Sequence, residues 1–148
     1  MAELHPQLKA DCAVIGRFKL CYLLLMRDAS YPWCILVPDR ENISEIYQLS
    51  QADQQQLIIE SSRLGQVMMQ NFSGDKLNIA AIGNLVSQLH IHHVVRYVDD
   101  PAWPKSVWGR GAMRPYKEKE LNQRIDELRT ALGNEKPGSD CGFEWHRS

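Results

Sequence analysis

The early apolar positions come in short aliphatic, aromatic and β-branched runs. One covers residues 11–26 and is interrupted at Gly16-Arg17, which predicts two strands or one bent pair. The turn-forming run Asp28-Ala29-Ser30-Tyr31-Pro32 leads into Trp33-Cys34-Ile35-Leu36-Val37, which Pro38 closes; this reads as a central strand. Between residues 44 and 72 the period becomes helical, with Leu57, Ile58, Ser61, Leu64, Gly65 and Met68 on one side of a long helix. Ser50 before Asp53 is a start signal, because a serine hydroxyl accepts an orphan amide hydrogen of the first turn. A shorter helical turn is expected over 43–49. Ser73-Gly74-Asp75 break the long helix, residues 76–82 return to strand character, Gly83-Asn84 form a loop, and 86–95 read as another strand. A second amphipathic helix is expected over 114–132, with Leu121, Ile125, Leu128 and Leu132 at three- and four-residue spacing and Gly133 as its stop.

Strands, a long helix, more strands and a final helix predict an α+β fold on an antiparallel sheet. At 148 residues, with 44% hydrophobic and 24% charged positions, the chain is sized for one domain over residues 1–132. Pro137, Gly138 and Gly142 give residues 133–148 the character of a loose tail, with Phe143 and Trp145 able to dock. A net charge of -1 lacks the basic footprint of a duplex-binding protein, so no nucleic-acid duplex is expected as a partner. The longest apolar runs fall short of the ~20 residues that span a bilayer. The first eleven residues have no apolar core to serve as a secretory signal, and a cytoplasmic setting is the expectation. Cys12, Cys21, Cys34 and Cys141 are scattered without a C-x-x-C pair and read as buried thiols.

The chemistry concentrates in Gln88-Leu89-His90-Ile91-His92-His93-Val94-Val95-Arg96, which holds three of the five histidines. On a strand, Gln88, His90 and His92 project to one face, while Leu89, Ile91 and His93 project to the other. Imidazole titrates near neutrality and serves as base, acid, nucleophile or metal ligand, so the H-x-H pair marks a site without fixing its role. A zinc or iron site is one alternative, but no third ligand lies nearby. His93 reads as structural.

This segment resembles the His-φ-His-φ-His-φ-φ motif of the histidine-triad (HIT) family of nucleotide hydrolases and transferases. Asp100-Pro101-Ala102-Trp103-Pro104 and Val107-Trp108-Gly109 are similar to a bacterial branch of that family, and the likeness runs from about residue 20 to residue 109. It implies a sheet of about five strands, one long helix and a C-terminal helix, assembled as a homodimer whose sheets join. It also implies that His90 is the nucleophile toward a nucleoside phosphoester, phosphoramidate or dinucleoside polyphosphate, giving a nucleotidyl-histidine that water resolves. A backbone carbonyl near His92 would fix its tautomer, and His92 would donate to a phosphate oxygen.

Gln88 stands where the family has its first triad histidine, and Trp33 where many members have another; the two are expected to be neighbours. Asn78 and Asn84 match positions that touch phosphate in relatives, and Asp28 is the nearest candidate carboxylate for the ribose. Trp103 and Trp108 follow the motif in a Pro-flanked loop, where they cover the site or pack in a core or interface. The resemblance requires no metal for the covalent step, although Mg2+ accompanies a polyphosphate substrate. Glutamine cannot act as a general acid at neutral pH, so a slow or inactive nucleotide-binding module stands as the second reading. A metal-dependent enzyme built on the H-x-H pair is the third.

Overall fold

The computed structural model describes residues 2–111, 113–133 and 142–145. Its centre is an antiparallel sheet of order β4-β5-β3-β2-β1-β6, built from β1 (Cys12–Arg17), β2 (Cys21–Met26), β3 (Trp33–Pro38), β4 (Lys76–Ala80), β5 (Ile91–Arg96) and the two-residue β6 (Glu144–Trp145). The expected five strands are present; the sixth comes from the stretch read as a tail, and pairs with β1 through Gly16 and Arg17. Gly16 permits that approach, since a Cβ there would collide with the Glu144 carbonyl oxygen and the Phe143 ring. Residues 134–141 and 146–148, including Cys141, lie outside the described residues. Cys12, Cys21 and Cys34 are buried thiols.

Helices α1 (Pro6–Asp11), α2 (Gln51–Phe72) and α3 (Glu118–Leu132) flank the sheet. α2 begins as its sequence predicts, with the Ser50 hydroxyl accepting from the Asp53 amide at 3.1 Å, and ends at Ser73 in the left-handed region at φ 48°. Leu57, Ser61, Leu64, Gly65 and Met68 face inward as the period requires, whereas Ile58 is 64% exposed. α3 starts four residues later than expected, at Glu118, whose turn is closed by the Glu120 carboxylate on the Lys117 amide. The expected turn over 43–49 is a single 3-10 turn, Ile46–Gln48.

Period-2 alternation divides the sheet between two apolar layers. Leu23, Leu25, Cys34, Leu36, Ile91 and Val95 pack with α2 and α3. On the reverse face Leu24, Trp33, Ile35, Val37 and Val94 pack with Leu8 of α1 and with Val86 and Val107 of two loops. The buried carboxylate of Glu60 accepts from the Leu20 and Cys21 amides, each at 2.9 Å, and so ties α2 to the turn between β1 and β2. At the end of β5, the buried Arg96 meets Asp100 through two bonds, at 2.7 and 3.0 Å. Burial alone would raise the Asp100 carboxyl, but Arg96 and the Tyr97 and Trp103 amides hold it at about 2.

The strand expected over 86–95 begins only at Ile91. The reason lies in where the preceding backbone spends its hydrogen bonds: the Leu89 amide reaches the Ile43 carbonyl at 2.9 Å, and the Gln88 carbonyl is taken by a side chain. Residues 81–90 are therefore a loop that rises to the strand and forms one lip of a cleft.

Candidate active site

Consecutive residues of β5 face opposite layers, so His92 and His93 part company. His93 enters the layer beneath α2, where its Nδ1 donates to the Ile91 carbonyl at 3.0 Å and its Nε2 accepts from the Ser61 hydroxyl at 2.7 Å. Both nitrogens are used. Burial holds its pKa down at about 4, so it is neutral near pH 7.

His90 and His92 face the other way, with ring centroids 5.0 Å apart. The His90 Nδ1 lies 2.7 Å from the Gln88 carbonyl. A carbonyl can only accept, so in neutral His90 the proton is on Nδ1 and the Nε2 lone pair is free. His92 has the opposite tautomer. Register pairs Trp33 with Val94, which makes Trp33 and His92 diagonal neighbours on one face, and the Trp33 indole Nε1 donates to His92 Nδ1 at 2.9 Å. An indole nitrogen only donates, so neutral His92 carries its proton on Nε2. Burial, followed by the neighbouring His90 and His93, lowers the His92 pKa to about 3 and keeps it neutral. The pair thus offers one lone pair and one neutral N–H donor side by side.

Both rings line a cleft of about 780 Å3. Ile35 and Met26 form its floor, Asn84 and Val86 come from the 81–90 loop, and Trp108 closes one side with its ring 5.3 Å from His92. The remaining wall is the N-terminal segment, from which His5, Gln7, Leu8 and Asp11 line the cleft. The apolar pattern predicts no helix in this segment. Its legible signal is Pro6 at the first helical position, where a missing amide hydrogen costs nothing.

Comparison with known proteins decides the family. The family model described as HIT domain matches residues 7–99, more than half of the chain. The chain belongs to the HIT domain family. It is similar to a histidine triad protein of Marinobacter aquaeolei VT8, at 48% identity and TM-score 0.87, with 90% of this chain and 97% of that one covered. A histidine triad protein of Bradyrhizobium japonicum is 42% identical, with TM-score 0.85 and 88% and 97% covered. Another, of Sinorhizobium meliloti 1021, is 37% identical, with TM-score 0.85 and 88% and 96% covered. No curated protein matches. The HIT fold is in general that of nucleotide-binding hydrolases and transferases.

Among the residues singled out from the HIT resemblance, His90, His92 and Asn84 come together at the cleft. The carbonyl that orients His90 belongs to Gln88, rather than to a residue near His92. The Gln88 side chain does not share the histidines' face in the expected strand register, because the strand starts later. Its Oε1 accepts from the His5 amide at 2.8 Å and its Nε2 donates to the Glu3 carbonyl at 3.1 Å. The expected partnership of Trp33 with Gln88 is thus divided, Trp33 serving His92 and Gln88 the N-terminal segment. Asn78 lies on β4 opposite Val94, with its Oδ1 accepting from Arg96 at 2.8 Å. Asp28 is buried in a turn, where its Oδ1 accepts from the Ser30 amide at 3.0 Å, and it borders a separate hollow beside Tyr31 and Trp33. Trp103 sits against the Arg96 guanidinium, 5.7 Å from ring centroid to cation.

Among the described residues no three His, Cys, Asp or Glu side chains gather to hold a metal ion, and no helix is long and apolar enough to cross a membrane.

Proposed function

We propose that this HIT protein is a nucleotidyl hydrolase or transferase that works through a nucleotidyl-histidine on His90. The observation that carries the reading is the complementary pair of tautomers, a free Nε2 lone pair on His90 beside a fixed Nε2–H on His92. In the first step the His90 lone pair forms a bond to the α-phosphorus, and the bond from phosphorus to the leaving group breaks with its electron pair going to the leaving group. The imidazole becomes cationic, and its Nδ1–H already points at the Gln88 carbonyl, which accepts the increased charge. His92 donates from Nε2 to a phosphate oxygen as negative charge builds there, without having to be protonated first. Water then attacks phosphorus and gives up a proton to solvent, the P–N bond breaks with its electron pair returning to His90 Nε2, and nucleoside monophosphate departs from neutral His90.

The cleft's layout supports a nucleotide. Leu8, Met26 and Ile35 offer an apolar bed for a base, and the histidines with Asn84 offer donors for phosphate. For the ribose, Asp11 is better placed than Asp28: it lines the cleft, held by the Gln7 amide nitrogen at 3.0 Å from each carboxylate oxygen, whereas Asp28 lies outside it. The substrate is a nucleoside phosphoester, phosphoramidate or dinucleoside polyphosphate. The covalent step needs no metal, and Mg2+ would arrive only on a polyphosphate. A homodimer joined through the outer edge of β4, where the sheet ends and Ile79 is half exposed, and a cytoplasmic setting complete the proposal.

The test is turnover of an adenosine phosphoramidate and of a diadenosine polyphosphate by wild type and His90→Ala, with and without chelator. Release of AMP that survives chelation and vanishes in His90→Ala is expected. AMP binding without turnover would leave the binding-module reading in its place, and loss of activity to chelator the metal-dependent one.

A further inference from the structure

Gln88 occupies the triad position that departs from the histidine pattern, yet three separate bonds make it the hinge of the site. Its backbone carbonyl holds His90 Nδ1, and its side-chain amide grips the chain at both Glu3 and His5. One residue therefore fixes the nucleophile and also sets the N-terminal segment beside it. The side chain so placed is another imidazole. His5 is partly buried, lines the same cleft as His90 and His92, and caps α1 by accepting the Gln7 amide hydrogen on Nδ1 at 3.0 Å. That bond settles its tautomer too: with Nδ1 accepting, the proton is on Nε2.

All three cleft imidazoles thus have Nδ1 engaged by the protein. The Nε2 atoms left for a ligand are one lone pair, on His90, and two N–H donors, on His5 and His92. The three rings do not gather tightly enough to hold a metal ion. Donors spread around a cleft suit an extended anion with several oxygens better than a cation at a point.

We infer that His5 is a phosphate-binding residue of the nucleotide cleft, donating from Nε2 to a phosphate oxygen, and that Gln88 is the positioning residue that holds it there. The inference rests on the nucleotide reading of the cleft and adds a donor from outside the histidine motif. Gln88 contributes no proton of its own; its amide supplies an acceptor for the His5 N–H and a donor for the Glu3 carbonyl, a combination that a carboxylate or an aliphatic side chain lacks.

The test is binding of AMP and of adenosine, measured by calorimetry, to wild type, His5→Asn, Gln88→Ala and the double variant. Asparagine is a strong helix cap, so His5→Asn preserves the start of α1 while removing the imidazole; His5→Ser, another capping residue, is the second variant should the first fold poorly. A donor to a charged phosphate is worth about ten- to a hundredfold in affinity. His5→Asn is therefore expected to weaken AMP by that factor and to leave adenosine, which has no phosphate, unchanged. Gln88→Ala should weaken AMP in the same selective way, and the double variant should lose no more than the larger single loss, because both act through one contact. Unchanged AMP binding in His5→Asn, or an equal loss for AMP and adenosine, would overturn the assignment, the latter by showing a merely structural wall. Fully additive losses would overturn the role given to Gln88. Wild type that binds neither ligand would remove the nucleotide reading and this inference with it. Wild type that binds AMP selectively through His5, yet never releases AMP from a substrate, would sustain the inference and remove only the covalent chemistry.

Discussion

His92 and His93 are the same residue type at adjacent positions of one strand, both buried and both neutral near pH 7, and they do different work. His93 has both nitrogens paired, to Ile91 and Ser61, and serves to join β5 to α2. His92 has one nitrogen paired, to Trp33, and the other left for a ligand. The difference lies in neither burial nor pKa but in which face of the sheet receives the ring and how many of its nitrogens the protein consumes. A fully satisfied imidazole is structure; one with a single oriented nitrogen to spare is chemistry.

Removing the proposed nucleophile breaks the comparison most severely. His90→Ala should lower turnover by roughly 10⁴-fold or more, since no neighbouring group can form the covalent intermediate, while AMP still binds. Next is Trp33→Phe, which keeps an aromatic ring against His92 and Trp108 but removes the indole N–H that donates to His92 Nδ1. The freed imidazole samples the wrong tautomer, and kcat should fall by about 10²-fold with little change in AMP affinity, as measured by steady-state kinetics beside calorimetry.

On the other face the expected effect moves from rate to stability. Ser61→Ala leaves a buried His93 nitrogen without its donor and should cost about 1–3 kcal/mol in denaturant unfolding, with kcat unchanged. The smallest effect is a slope with pH. Both rings have native pKa values below the ordinary 6.5, so on acidification the unfolded chain takes up protons that the native state refuses. Their contribution to stability is whole above pH 6.5 and is lost as pH falls toward about 4 for His93 and about 3 for His92. Glu60, whose pKa burial raises, works in the opposite sense. Thermal midpoints between about pH 7 and pH 5 should therefore drop in wild type and drop less in His93→Gln.

Much of this was legible in the residues. Alternation along the histidine segment is enough to send His90 and His92 one way and His93 the other, and Ser50 and Ser73-Gly74 delimit α2 because capping is a local property. Pairing between distant segments was not legible. Trp33 reaches His92 only because of the β3–β5 register, which no local pattern encodes. Alternation carried back from Ile91 puts Gln88 on the histidines' face, but the strand does not reach it and its backbone carbonyl is committed to His90. Asn78 and Asp28 carried the right chemistry for phosphate and ribose, but Arg96 and a turn amide claim their oxygens. The six residues of α1 are too few to show a period, so His5 and Asp11 could be found only once the cleft was formed.

The central claim is that one nitrogen, His90 Nε2, is the free lone pair of the site. It is tested most directly by quenching the ¹⁵N-histidine-labelled protein during turnover of an adenosine phosphoramidate and locating the phosphorus–nitrogen bond by intact mass and ³¹P–¹⁵N coupling. One nucleotidyl group on Nε2 of His90, absent from His90→Ala, is the predicted result; a group on Nδ1, on another residue, or no covalent species in a protein that still turns over would contradict it.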